Sequence, residues 1–189
     1  MLLETKISIA KLGEPILRQH AKKVENINSQ EILNVIDKMF HCLNESKGVG
    51  LAAPQIFESY QILIISSYPN ERYPNAPLMK GEVLINPIIL NKSEKIQKDW
   101  EGCLSIPGIR ALVPRHKTIE VAYTKTDGTQ TNVQFEDFIA RIFQHEYDHL
   151  IGKVYLDRVE DNKEIVSEEV YFKNVVDVDK KVNEDNSLV

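Results

Sequence analysis

"EDFIARIFQHEYDHLIG", residues 136–152, reads as one helix, and its composition sets the plan of the whole chain. Glu136 and Asp137 open it, where negative charge favours a helix start, and Gly152 closes it. Phe138, Ile142, His145 and His149 fall on one face, while Ile139, Phe143 and Leu150 line another. A helix with so little polar surface is buried, and burying imidazoles without partners is costly. The two histidines lie one turn apart, so their rings project from the same face. Glu146 follows the first of them directly.

Such a helix must be covered, and the flanking sequence supplies the strands. "QILIIS" (61–66) and "EVLINPIIL" (82–90) read as buried strands, separated by an exposed loop with three prolines over 67–81. "TIEVAYTKTDGTQTNVQF" (118–135) alternates apolar residues on either side of Asp127-Gly128, the signature of a hairpin. A second helix is predicted over 28–48, with Asn28 and Glu31 at capping-box spacing and Gly48 as terminator. Residues 48–56, "GVGLAAPQI", are too rich in Gly, Ala and Pro for regular structure. Together these elements predict an α+β fold, antiparallel β-sheets packed around a buried central helix.

Length and composition agree with that plan. The 189 residues, 42% apolar and 27% charged, suffice for one domain with a substantial core, expected over 1–172. From Glu160 onward there are nine acidic residues against four basic, which accounts for the whole net charge of −5. Residues 173–189 are therefore expected to form an acidic, fraying tail. That charge argues against direct nucleic-acid binding. The start lacks a basic segment followed by an apolar run, and no stretch has the length to cross a bilayer, so no membrane association is expected. Two cysteines are too few for a disulfide framework, and the chain reads as cytoplasmic and reduced.

The His-Glu-x-x-His spacing of 145–149 resembles the metal-binding helix of zinc hydrolases. A lone histidine is more often an ordinary hydrogen-bonded residue, but two on one apolar helix read as ligands. Catalytic sites usually hold the ion through three protein groups, so a third is needed. The downstream position that supplies a third histidine in metzincins is Tyr155 here, which fails on ligand chemistry. Glu168 and Glu169 lie at a usable distance, in an acid-rich stretch where solvated carboxylates are ordinary. Cys103, in "WEGCLSIPGIRALVPR" (100–115), is the better candidate, since a thiolate is a strong ligand for zinc or ferrous iron. A structural zinc domain would need a fourth ligand, with His41, Cys42 and His116 as the candidates.

Three segments together resemble the peptide deformylase family: "GVGLAAPQ" (48–55), "EGCLS" (101–105) and "QHEYDHL" (144–150). "GEPILR" (13–18) and "LINP" (84–87) extend the likeness over about residues 7–159. The resemblance implies that Cys103, His145 and His149 bind one divalent ion, Fe2+ natively, with Zn2+, Ni2+ or Co2+ also accepted. It implies Glu146 as general base, with the Gln55 side-chain amide and the Leu104 backbone N–H as donors to the developing oxyanion. The substrate it implies is an N-formylmethionyl peptide, from which formate is released. Gly50 and Gly102 would then contact the peptide backbone, Val49 and Ile142 would wall a methionine pocket, and Arg110 would lie near the peptide. Asp148 is expected to orient an imidazole. His20 and His116 read as solvated and Trp100 as packing. Some relatives dock on the ribosome through a basic C-terminal helix, and the acidic tail here argues against that partner.

Overall fold

A computed structural model describes residues 7–70, 73 and 75–176. Helix α1 (Gln30–Ser46) buries Ile32, Val35, Ile36, Met39, Cys42 and Leu43 along one stripe. Its cap is Ser29, whose hydroxyl accepts from the Ile32 N–H at 3.3 Å, one residue later than the Asn28 start read from the sequence. The chain leaves α1 through Lys47 in a left-handed conformation, so Gly48 follows the terminator instead of forming it.

Residues 48–56, read as irregular, contain strand β1 (Gly50–Ala52) and a single 3-10 turn (Ala53–Ile56). The strand survives its small side chains because all three residues pair with β2 (Ile62–Ser67), and Pro54 falls at the start of the turn, where no N–H is needed. Strand β3 (Met79–Lys92) begins three residues before the predicted strand, which shortens the proline-rich loop. A bulge bends β3 at Asn86, whose left-handed backbone is held by side-chain bonds to the Val24 N–H and carbonyl, both at 2.9 Å.

Strands β4 (Ile96–Cys103) and β5 (Ile106–His116) form a long hairpin that the sequence did not announce. Pro107 and Pro114 in β5 obscure it. Only Ile109–Ala111 of β5 pair on both sides, with β8 (Ile165–Ser167), so both prolines lie where one edge is free. The predicted hairpin is present as β6 (Thr118–Thr124) and β7 (Gln130–Glu136). Helix α2 (Asp137–Leu150) follows at once, and ten of its fourteen residues are buried. Beyond it come two 3-10 turns (Tyr155–Arg158, Asn162–Glu164), β8, the short α3 (Glu168–Tyr171) and a π-helical turn (Phe172–Val176). The rest of the expected acidic tail lies outside the described residues.

The result is a mixed α/β architecture with two antiparallel sheets, ordered β1-β2-β3-β6-β7 and β4-β5-β8. Helix α1 packs on one side of the first sheet through Ile62, Ile64 and Ile85. Helix α2 packs on the other through Leu63, Ile65, Val121, Ile142 and Phe143. Each such side chain contributes about 1.5–3 kcal/mol when fully buried. A third cluster, Leu17, Ile106, Val113, Val154 and Tyr155, closes the second sheet. At the end of α2 the chain turns back against residues 18–19. Gly152 has φ +72°, and a Cβ there would lie 2.8 Å from the Arg18 carbonyl carbon, so this exit requires glycine. Among the described residues no helix is long and apolar enough to cross a membrane.

Candidate metal centre

The three-stranded sheet meets α2 at Cys103. It is the last residue of β4, and its pairing with Ile106 leaves Leu104 and Ser105 as a two-residue turn. From α2 come His145 and His149. The Cys103 sulfur and one nitrogen from each imidazole lie within 4.8 Å of one another, and Sγ is 3.3 Å from His149 Nε2. An ion bound at about 2.3 Å from sulfur and about 2.1 Å from nitrogen, tetrahedrally, sets those atoms about 3.6 Å apart. The donor set and its spacing therefore fit a zinc-like or ferrous ion. Burial alone would push the Cys103 thiol up, but the imidazoles of His149 and His145 hold it well below the ordinary thiol range, in the thiolate form a metal needs.

Glu101, two residues before the cysteine, orients the first imidazole. Its carboxylate accepts from His145 Nδ1 at 2.9 Å, which leaves Nε2 to face the centre. The same carboxylate takes two bonds from Arg115, at 2.9 and 3.0 Å, and one from Arg141 at 2.8 Å. Burial opposes its charge, yet Arg115 and His145 hold Glu101 well below the usual carboxylate range. Asp148, expected to orient an imidazole, does not. Its oxygens accept from Arg115 and Arg158, each at 2.6 Å, so the guanidinium groups and not an imidazole take its carboxylate. The arginines thus join Glu101 and Asp148 into one buried ionic network.

Glu146 is buried, and its Oε2 has no hydrogen-bond partner among the described residues. Burial pushes its carboxyl up to about 7, against the pull of His145 and His149. Gln55, 2% exposed, has a fixed orientation. Its Oε1 accepts from the Ala52 N–H at 2.9 Å, so its Nε2 must point the other way, 3.4 Å from Cys103 Sγ and 3.3 Å from Ser105 Oγ.

These groups line a cavity of about 230 Å³ whose walls include Val49, Gly50, Gly102, Leu104, Arg110 and Ile142. Arg110 is a buried part of the cavity wall. It is 2% exposed, donates to Glu168 at 2.9 Å and to the Tyr73 hydroxyl at 3.3 Å, and lies 4.8 Å from the Tyr171 ring centre. Its bond to Glu168 takes that carboxylate away from the cysteine and histidines, and Glu169 is exposed. None of the fourth-ligand candidates joins the cluster: Cys42 is in the core, His41 faces Glu45, and His116 bonds the Ser93 carbonyl at 2.7 Å. That bond also makes His116 half-buried instead of solvated, whereas His20 is exposed. Trp100 packs edge-on against Tyr171 and also borders the cavity. Glu101, Lys11 and Tyr73 were missed by sequence reasoning. The first was visible as an acid beside a candidate ligand, and the other two carry no local signal.

Residues 6–164 match the family model described as polypeptide deformylase. The chain is 49% identical over 165 residues to peptide deformylase 2 of Nostoc sp., covering 87% of this chain and 92% of the relative. It is 41% identical over 165 residues to peptide deformylase 1 of Bordetella pertussis, covering 87% and 94%. Among solved structures, the Met-Ala-Ser-bound class I type b peptide deformylase of Acinetobacter baumannii superposes with a TM-score of 0.80 at 39% identity, over 82% of this chain and 99% of that one. A Plasmodium falciparum peptide deformylase in complex with inhibitor gives a TM-score of 0.71 at 34% identity, over 82% and 90%.

Proposed function

This chain belongs to the polypeptide deformylase family, and from that premise we propose how its residues divide the work of hydrolysing a formyl amide. The enzyme is a metal-dependent hydrolase that removes the N-formyl group from newly made polypeptides. Cys103, His145 and His149 are the proposed ligands of one divalent ion, carried on the end of β4 and on α2. Bound there, the ion would supply a Lewis acid, lowering the pKa of water from ~16 towards ~7. Ferrous iron is the proposed native metal, with Zn2+, Ni2+ or Co2+ as substitutes, since a mixed sulfur and nitrogen site accepts all four.

Glu146 takes the proton from the attacking water and returns it to the leaving amine. Its burial beside the imidazoles suits a group that must both accept and release a proton. As the carbonyl oxygen gains charge, Gln55 Nε2 and the Leu104 N–H donate to it, and losing one such donor costs about 3 kcal/mol. The fixed amide of Gln55 supports this role, because a donor already aimed needs no reorganisation during the reaction. The peptide lies extended against Gly50 and Gly102, its methionine side chain between Val49 and Ile142, with Arg110 nearby. The Met-Ala-Ser held by the Acinetobacter baumannii relative supports a peptide of this kind. Residues 1–172 are proposed as the catalytic domain, acting in the cytoplasm, and the acidic tail would not dock on ribosomal RNA.

One observation carries the assignment: a sulfur and two imidazoles converge beside a buried carboxylate whose Oε2 has no partner among the described residues. Anaerobically iron-loaded protein should release formate from formyl-Met peptides. The Glu146→Ala variant should keep its metal and lose most turnover. Full metal loading with no formate would overturn the reading, and an active Glu146→Ala variant would remove that residue from it.

A further inference from the structure

The two donors assigned to the acyl oxygen come from distant parts of the chain, Gln55 after β1 and Leu104 at the β4–β5 turn. Three consecutive residues near the N-terminus tie them together. The Ala10 N–H donates to the Gln55 carbonyl at 2.8 Å, and the Leu12 N–H donates to the Ser105 carbonyl at 2.9 Å. Between them, Lys11 Nζ donates to the Leu104 carbonyl at 2.8 Å. A two-residue hairpin turn ordinarily leaves its carbonyls to water. Here both are bound from outside, and Ser105 Oγ accepts from Gln55 Nε2 as well.

We infer that Lys11 is a positioning residue for the acyl-oxygen site, holding the Leu104 peptide at a fixed distance and angle from the Gln55 amide. The Leu104 carbonyl and N–H flank one Cα. Fixing the carbonyl restricts rotation there, and the paired Cys103 and Ile106 fix the other ends of the turn. Ala10 is fully buried, so the segment that carries Lys11 is itself anchored. Lys11 is exposed and borders the cavity at its rim, so it acts on the turn and not on the core. Its work is done in the transition state, since the donors it aims are needed only when charge develops on oxygen.

The inference rests on the assignment of Gln55 and Leu104 as oxyanion donors, and the test separates the two. Metal-loaded parent, Lys11→Met and Lys11→Arg proteins are compared for formate release from a formyl-Met tripeptide, together with metal content. Lys11→Met should lower kcat at least fivefold, with KM within twofold and metal content unchanged. Lys11→Arg, which restores a charged donor, should recover at least half of the parent kcat. A smaller fall in kcat, a rise in KM as the main effect, loss of metal, or an arginine variant as impaired as the methionine one overturns the proposal. A parent that releases no formate removes the underlying assignment and this inference with it. An active parent with an unimpaired Lys11→Met variant removes only the inference.

Discussion

Position 50 has no room for a side chain. A Cβ on Gly50 would lie 2.6 Å from Glu146 Oε1, 2.8 Å from Ile142 Cγ2 and 2.9 Å from Glu146 Cγ. Gly50 is paired in β1, so backbone strain is not the reason for glycine there. The reason is that β1 passes directly over the carboxylate that is proposed to move the proton. Alanine would push that carboxylate aside without disturbing the cysteine or either histidine. A misplacement of about 1 Å at a reacting group costs roughly 10²-fold in rate. Gly50→Ala should therefore lower kcat/KM for formyl-Met peptides by about that factor and keep its metal. Parent-like kinetics in this variant would mean that the position of Glu146 is not critical to turnover. The resemblance marked Gly50 as a contact residue, but gave no sign that Glu146 is what it faces. The family likeness implied a peptide contact at Gly50, and the structure sets Glu146 against the same residue.

At the scale of elements, α2 and the β4–β5 hairpin were unequally legible. Helix α2 carries its own evidence, because a 3.6-residue apolar pattern and two histidines one turn apart survive without knowledge of their surroundings. The hairpin does not. Strand β4 is exposed over its first four residues, and β5 carries two prolines and Gly108, so neither shows a two-residue alternation. Their pairing is decided by long-range contacts, among them the ionic network. Arg115 on β5 reaches Glu101 on β4 and Asp148 on α2, so one guanidinium fixes the sulfur-bearing strand relative to the histidine-bearing helix. Removing it leaves two buried carboxylates short of a countercharge, at a cost of about 3–5 kcal/mol. Glu101 then loses its bidentate anchor and His145 its fixed ring, which in comparable sites weakens metal binding about 10–100-fold. Arg115→Met should show both effects, the first by chemical denaturation and the second by competition with a metallochromic chelator. Metal affinity within twofold of the parent would mean that Arg115 contributes to folding alone.

Across the whole molecule, the proposed ligands belong to different layers. Cys103 ends a strand of the three-stranded sheet, and His145 and His149 sit on the helix that packs against the five-stranded one. An ion shared by them would link the layers, and only the folded chain offers all three donors at once. Anything that binds the native state alone stabilises it, by about 2.7 kcal/mol at a free concentration a hundred times Kd. For a chain of this size each kcal/mol is worth about 2–4 °C in Tm. Stripping the metal should therefore lower the melting midpoint by about 5–10 °C, and adding Zn2+ or Co2+ back should restore it. The apo protein should still melt cooperatively, because the two sheets, α2 and the Glu101–Arg115–Asp148 network do not depend on the ion. Cys103→Ser keeps the shape of the turn but gives up the strong thiolate ligand, so its midpoint should respond little to added metal. Equal midpoints for metal-loaded and stripped parent protein would mean that the sulfur and the two imidazoles hold no common ion, and the catalytic assignments built on that ion would fall with it.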